Sequence, residues 1–229
     1  DVIPSVCPYC GVGCIINYHV KDGKLLRVEG RQGPANQSRL CVKGRYGFDY
    51  VHHPSRLTKP LIRKDGVPKT KELLNPENWR DVFREAEWDE ALDFAAFGLK
   101  KIRDDHGQRA LAAYGCAKGS NEEAYLLQKL VRTGFGSNNV DHCTRLCHAS
   151  SVSALLEGIG SGAVSNPFTD VTDSDVIFLI GANPVSNHPV AATFIKNATK
   201  NGTKLILADP RRSELARHAT HFLQFRPDT

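Results

Sequence analysis

The sequence predicts an α/β fold, in which a small cysteine-rich N-terminal domain precedes a larger region of alternating strands and helices. Within residues 15–29, two alternating apolar runs flank Asp22-Gly23, which is a β-hairpin signal. From residue 175 onward, a strand, a helix and a second strand follow one another. Both of those strands lack polar alternation, as in a parallel sheet that is buried on both faces.

Composition sets broad limits on function. The chain has 229 residues, 41% hydrophobic, and a net charge of +5 whose basic residues are scattered, so we expect no nucleic-acid partner. Its longest apolar run, Val176 to Ala182, is too short to insert into a membrane. The chain begins without methionine, and we expect it to be a segment of a longer protein.

Between these two regions the elements are less regular. We expect a short helix in residues 38–48 that ends near Gly44, an extended connector over 52–79 and a strand over 109–115. A helix is predicted from Asp89 to about Asp105, and Asn121 can cap another helix. The predicted apolar faces of these two helices are Leu92, Ala95, Ala96, Leu99 and Ile102 in the first, and Ala124, Leu127, Leu130 and Val131 in the second.

The C-terminal region reads as a β-α-β unit of Rossmann type. Strands over 175–181 and 204–209 flank a helix over 188–202, which has Pro189 in its first turn and Gly202 at its end. Another helix is predicted to start within 213–219.

Four cysteines have the spacing of a metal site. Cys7, Cys10 and Cys14 form C-x2-C-x3-C, and Cys41 follows at a distance. Three thiols in one loop with a distant fourth suit a cubane [4Fe–4S] cluster, and Gly11 and Gly13 allow close approach of the backbone. A zinc knuckle or unligated structural cysteines are the alternatives. A disulfide framework fits a chain of this length poorly, so we expect reduced thiols and a cytoplasmic location.

A second group, Cys143, Cys147 and His148, lies in "NNVDHCTRLCHASS". Taken alone, Cys147 and His148 are candidates for a nucleophile and a base, but adjacent side chains rarely point at one another. Two thiols four residues apart can also bind zinc, with His148 or His142.

The stretch "CPYCGVGC…NQSRLCVKGRYGFDYVHHPSRLTKPLIR" resembles the N-terminal iron–sulfur domain of the molybdopterin-dependent oxidoreductases, and most closely their formate dehydrogenase branch. The resemblance covers the whole chain. It implies that Lys43 lies between the cluster and a pterin ring, on the electron path. A cation there stabilises the reduced states of both groups.

The same resemblance implies that Cys147 is the protein ligand to molybdenum or tungsten, and that His148 assists proton transfer. Related nitrate reductases lack the histidine, and the relative in respiratory complex I lacks the metal site. Cys116 and Cys143 match no role, and we interpret them as packed small residues.

Two strand–helix loops are the predicted dinucleotide site. They lack G-x-G-x-x-G, which makes NAD a weak candidate. The resemblance implies that Asn183, His188, Asp209 and Arg211 bind the guanine dinucleotide arm of the molybdopterin. Ordinary strand–helix turns are the alternative for each residue.

The predicted domains are a [4Fe–4S] domain over 1–57, an α/β region over 58–137 and a Rossmann-like pterin-dinucleotide-binding region over 138–229. The implied function is oxidation of formate to CO2, or the reverse, at a molybdenum or tungsten bis-pterin guanine dinucleotide centre. Electrons would pass to the cluster and on to iron–sulfur or flavin subunits. Another family member such as nitrate reductase, or a cofactor-free electron-transfer scaffold, is the alternative. We expect the arginine that orients formate to lie beyond Thr229, so the segment alone should be inactive.

Overall fold

The structure is a computed structural model of mixed α/β character that describes residues 1–69 and 78–227. Internal packing divides it into two compact units. One unit combines Asp1–Pro54 with Leu155–Thr229, and the other is Ser55–Ala154. The domain boundaries predicted from the sequence concern family domains rather than packing units, and they stay a prediction.

The N-terminal part is a three-stranded antiparallel sheet followed by a short helix. Its elements are β1 (Val2–Val6), β2 (Ile15–Lys21), β3 (Lys24–Gly30) and α1 (Val42–Tyr46), with a 3-10 turn at Asp49–His52. The predicted hairpin is confirmed as β2–β3. Asp22 and Gly23 both have positive φ, 49° and 73°, as a type I′ turn requires. Strand β1 pairs with β2, so the loop from Cys7 to Cys14 is the connection between two paired strands.

The short helix predicted in residues 38–48 is confirmed as α1, which ends at Tyr46, two residues past Gly44. Helix α1 continues through Gly44, and the amide of Gly47 closes it by donating to the Lys43 carbonyl at 2.8 Å. Gly44 serves close packing instead. A Cβ there would lie 2.5 Å from Leu40 Cδ1 and 3.3 Å from Cys7 Sγ.

The middle of the chain alternates short strands with helices. Its elements are β4 (Leu61–Arg63), α2 (Trp79–Val82), β5 (Phe83–Glu85), α3 (Trp88–His106), β6 (Ala113–Gly115), α4 (Asn121–Lys129), a π-helical turn (Leu130–Phe135), β7 (Val140–His142), α5 (Thr144–Cys147) and α6 (Ala149–Ile159). The predicted connector over 52–79 is wrong in part, because β4 within it pairs with β5. Residues 70–77 of that connector lie outside the described residues.

Helix α3 is confirmed, but its predicted apolar face is not buried. Only Leu99 of that face packs against a core, formed by Leu111, Val131 and Phe135, whereas Leu92 is 59% exposed. The described hydrophobic cores contact this face at Leu99 alone, so the rest of the face stays exposed.

The N-cap of α4 and the length of β6 also differ from prediction. Ser120, not Asn121, caps α4, because Ser120 is extended while Asn121 is already helical. Ser120 and Glu123 form a reciprocal capping box, with bonds of 3.2 and 2.6 Å. The predicted strand over 109–115 shrinks to β6, since Gln108–Ala110 forms a 3-10 turn.

The C-terminal part contains a three-stranded parallel sheet in the order β10-β9-β8. Its elements are β8 (Val176–Ile180), α7 (Pro184–Asn187), α8 (Pro189–Lys200), β9 (Lys204–Ala208) and β10 (His221–Leu223). The predicted β-α-β unit is confirmed as β8-α8-β9. The helix predicted within 213–219 is a 3-10 turn, Glu214–His218. Over the described ranges, no helix has the length and apolar character that crossing a bilayer requires.

The sequence predicted that β8 is buried on both faces, and for the described residues that prediction is wrong. Phe178 is 59% exposed, because among the described residues only the face of β8 that carries Ile177 packs into the core. That core lies between α8 and the central strand β9. It includes Ile195, Leu205 and Leu207.

Leu205 provides a test of this core. It is fully buried at 0% exposure, whereas Leu26 on β3 is 57% exposed. We expect Leu205→Ala to lower the free energy of unfolding by about 2–5 kcal/mol, from lost burial and the cavity that remains. The matched change Leu26→Ala should cost less than about 1 kcal/mol. Thermal denaturation of both variants measures the difference, and equal midpoints would contradict this packing.

Candidate functional site

The four N-terminal cysteines gather in one place. Cys7, Cys10 and Cys14 lie on the β1–β2 loop, and Cys41 directly precedes α1. Cys14 is 4% exposed, and its burial, together with the negative charges of the other three thiolates, raises its pKa to about 11. Such mutual repulsion requires thiols that share one neighbourhood. Among the described residues, no three His, Cys, Asp or Glu side chains meet metal-coordination geometry.

This donor set fits an iron–sulfur cluster. Clustered thiolates repel one another, and bound iron removes that repulsion because it stabilises the deprotonated form of each ligand. Gly13 has φ +68°, which allows the tight turn from Cys10 to Cys14. The residues present therefore suit the group that their spacing predicts, and each cysteine's role as a ligand stays a prediction.

Packing holds both cysteine segments against α8. Cys14 shares a buried group with Val190 and Phe194 of that helix, and Cys7 and Cys41 pack at its margin. The guanidinium of Arg39, two residues before Cys41, lies 4.2 Å from the centre of the Phe194 ring. The β-α-β unit therefore supports the cysteine loops directly.

Lys43 connects α1 to the loop that follows β8. Its Nζ donates to the carbonyl of Ser186 at 3.1 Å. Ser186 in turn accepts, through Oγ, a bond from Asn183 Nδ2 at 3.3 Å. The structure thus brings the cysteine segment and the predicted dinucleotide loop together through Lys43. Sequence reasoning did not identify Ser186 as its partner.

The four predicted dinucleotide residues lie at one edge of the parallel sheet. Asn183 and His188 follow β8, and Asp209 and Arg211 follow β9, its hydrogen-bonded neighbour. Asp209 is 8% exposed, and its Oδ1 accepts the amide of Arg211 at 2.7 Å, which shapes the loop. The carboxyl ends of parallel strands are where α/β sheets bind ligands.

Unpaired polar atoms occur at this same edge. Asn183 Oδ1 and Ser213 Oγ are buried and have no hydrogen-bond partner among the described residues. Burying such atoms unpaired is costly, so a polar ligand that pairs with them gains affinity. Sequence reasoning missed Ser213, although a serine that directly precedes a helical turn is a recognisable signal.

Cys147 and His148 face each other, contrary to the expectation for adjacent residues. Cys147 ends α5, the chain turns at His148 (φ −128°, ψ 19°), and Cys147 Sγ lies 3.9 Å from His148 Nε2. Both residues are exposed in the part of the chain described. They belong to a different packing unit from the cysteine loops.

Asp141 holds the turn that carries this pair. Its carboxylate accepts the amide of His142 and the Nε of Arg145, both at 2.8 Å. The His142 amide, followed by Arg145, lowers the pKa of Asp141, so the carboxylate stays charged and the turn stays fixed.

The interpretation of Cys116 and Cys143 as packed residues is wrong for the described structure, where both are exposed. Cys143 Sγ accepts the amide of Ala117 at 3.3 Å.

Comparisons with known proteins agree with this arrangement. The Molybdopterin oxidoreductase Fe4S4 domain model matches residues 1–53, and the Molybdopterin oxidoreductase model matches residues 56–229. F420-dependent formate dehydrogenase 2 subunit alpha of Methanococcus maripaludis is 43% identical over 99% of this chain. Formate dehydrogenase H of Escherichia coli is 40% identical over 95% of it.

The chain spans about a third of these relatives, 31% and 29% of their respective lengths. The fold also matches acetylene hydratase from Pelobacter acetylenicus, with a TM-score of 0.72 and 24% identity. That match covers 97% of this chain and 29% of the hydratase, and it is evidence of fold alone.

Proposed function

Because the chain belongs to the molybdopterin oxidoreductase family and carries its Fe4S4 domain, we propose that it forms part of an enzyme that oxidises formate to CO2, or catalyses the reverse reaction. The matched domains imply a [4Fe–4S] cluster and a molybdenum- or tungsten-pterin cofactor. The observation that carries the formate assignment is the Cys147–His148 pair, whose side chains meet at 3.9 Å. Relatives named formate dehydrogenases, at about 40% identity along nearly the whole chain, support it.

Oxidation of one formate releases CO2, one proton and two electrons. When bound, the metal–pterin group supplies the two-electron redox chemistry. Cys147 offers a soft thiolate to that metal, and no other residue of α5 is a thiol. His148 would hold the released proton beside that sulfur, because an imidazole nitrogen can accept a proton and pass it on.

Binding of the dinucleotide arm is assigned to the Rossmann-like region. The loop of Asn183 and His188 and the loop of Asp209 and Arg211 meet at one sheet edge, where Asn183 Oδ1 has no described partner. A nucleotide that donates to this oxygen would satisfy it. The family membership supports a nucleotide that is part of a molybdopterin rather than NAD.

The two electrons released from each formate indicate that the protein works with partner subunits. The two electrons need an outlet, and the cluster is the only one-electron carrier that the matched domains imply. M. maripaludis relatives are named alpha subunits, which supports an assembly with further chains. We infer that those chains carry iron–sulfur or flavin groups and that the assembly is cytoplasmic.

Lys43 is proposed to lie on the electron path. Lys43→Ala removes the cation two residues from Cys41 and the bond to Ser186. We expect formate to reduce the cluster roughly tenfold more slowly or worse, the size of effect that loss of one charge-assisted bond produces. Stopped-flow absorbance of the cluster measures this rate, while iron and molybdenum or tungsten contents should stay unchanged.

Two controls accompany this variant. Lys43→Arg keeps the charge and should recover most of the rate. Lys21→Ala removes an exposed cation at the end of β2 and should have no effect. An unchanged rate in Lys43→Ala would remove Lys43 from the electron path.

Elemental analysis and substrate choice test the proposed function together. The purified intact protein should contain about four iron atoms per chain and about one molybdenum or tungsten. It should reduce an artificial dye with formate. Iron without molybdenum or tungsten would indicate an electron-transfer scaffold, and turnover of nitrate instead of formate would indicate an oxo-transfer enzyme.

A further inference from the structure

Asn36 is the most deeply buried polar residue of the described chain, at 0% exposure. All of its side-chain bonds go to the backbone. Its Oδ1 accepts the amide of Ile15 at 3.1 Å. Its Nδ2 donates to the carbonyls of Ile15 and Arg31 at 3.1 Å and of Arg39 at 3.0 Å.

These backbone partners lie next to the cysteines. Ile15 directly follows Cys14, and Arg39 comes two residues before Cys41. The backbone of Asn36 also bonds to Arg39, because the Arg39 amide donates to the Asn36 carbonyl at 2.8 Å. Asn36 therefore ties the segment of the third cysteine to the segment of the fourth.

The loop between Asn36 and Cys41 needs such a tie. Gln37 and Ser38 both have left-handed φ, 46° and 63°, which is unfavourable for residues other than glycine. The loop also lies close to the end of β3, where a Cβ on Gly30 would stand 2.3 Å from the Ser38 carbonyl oxygen. A strained, closely fitted loop keeps its shape only while its neighbours hold it. Asn36 supplies the buried side-chain bonds to those neighbours, and Ser38 Oγ also donates to Gln32 Oε1 at the surface.

We propose that Asn36 is a positioning residue for the iron–sulfur cluster, which fixes Cys41 relative to Cys14 and so retains the fourth iron. The inference rests on the cluster of the matched domain but not on formate chemistry. Cys7, Cys10 and Cys14 share one loop, so three irons keep their thiolates when the distant segment shifts. The iron at Cys41 is then the one released. With ferricyanide as one-electron oxidant, [4Fe–4S]2+ gives [3Fe–4S]+ and Fe2+.

Two substitutions and one control test this role. Asn36→Leu keeps the branched shape and the number of side-chain heavy atoms, and it removes all of the side-chain hydrogen bonds. Asn36→Asp keeps an oxygen that accepts the Ile15 amide but loses the Nδ2 donor to the three carbonyls. It is the milder change, and it keeps the proposal testable if Asn36→Leu folds poorly. Asn139→Leu is the control, because Asn139 Nδ2 also bonds two carbonyls, Arg109 and Leu111 at 3.2 Å, in the other packing unit.

The readouts are iron content and electron paramagnetic resonance of the intact protein, purified without oxygen and titrated with ferricyanide. We expect wild type and Asn139→Leu to keep about four irons per chain. Asn36→Leu should fall to about three irons with the signal of an oxidised three-iron cluster, and Asn36→Asp should convert to a smaller extent. Four irons that resist oxidation in both Asn36 variants would overturn the proposal, as would loss of all iron without a three-iron stage. A wild type that holds no iron would instead refute the cluster itself.

Discussion

Cys147→Ala is expected to abolish formate turnover almost completely. With Cys147 as the proposed ligand, the change would leave the metal with its pterin sulfurs alone, which would alter both its redox properties and the position of the substrate. His148→Ala should lose less, about 10²–10⁴-fold, the usual contribution of one positioned proton-transfer group. Steady-state turnover with formate measures both losses. X-ray absorption at the metal edge should show one sulfur fewer in Cys147→Ala and no change in His148→Ala.

Cys143→Ala is the matched control for this experiment. Cys143 is also an exposed thiol of the same turn, and its Sγ accepts the amide of Ala117 and lies 3.7 Å from His142 Nδ1. Its loss should leave turnover within a few-fold of wild type and the sulfur count intact. If Cys147→Ala kept both its metal–sulfur count and its activity, the ligand assignment would be wrong.

Cys10→Ser is expected to remove or cripple the cluster. Serine is a poor ligand for iron–sulfur clusters, and Cys10 lies in the loop that supplies three of the four thiolates. Iron should fall well below the wild-type value of about four atoms per chain after purification without oxygen. The rate of formate oxidation should fall together with the iron content, because the electrons leave through the cluster.

Cys116→Ser serves as the control, because Cys116 is exposed and has no predicted role at the cluster. It should keep the full iron content and the wild-type spectrum. Stoichiometric zinc without iron in the wild type would end the cluster assignment, and full iron in Cys10→Ser would remove Cys10 from the ligand set.

The elements that local sequence patterns determine were predicted well. Asp22-Gly23 forms the hairpin turn because that dipeptide tolerates positive φ, and α8 begins at Pro189 and ends just before Gly202 as its pattern indicates. Helix α1 runs two residues past the predicted end near Gly44, because that glycine serves close packing against Leu40 rather than helix termination. The cap at Asn121 failed by one residue, since Ser120 offers an equally good cap with a better-placed Glu123.

Features that depend on tertiary contacts could not be read from the sequence. The bond from Lys43 to Ser186 joins residues 143 apart in the chain. The meeting of Cys147 and His148 depends on the backbone turn at His148, which no pattern signals. Asn36 has no motif of its own, and its burial arises only when its loop folds against Ile15.

Formate-driven reduction of the iron–sulfur cluster tests the central claim most directly. The intact protein, purified without oxygen, is mixed with formate in a stopped-flow instrument, and the visible absorbance of the cluster is followed. We predict that formate bleaches the cluster and that acetate does not. A cluster that dithionite reduces fully but formate leaves oxidised would contradict the account.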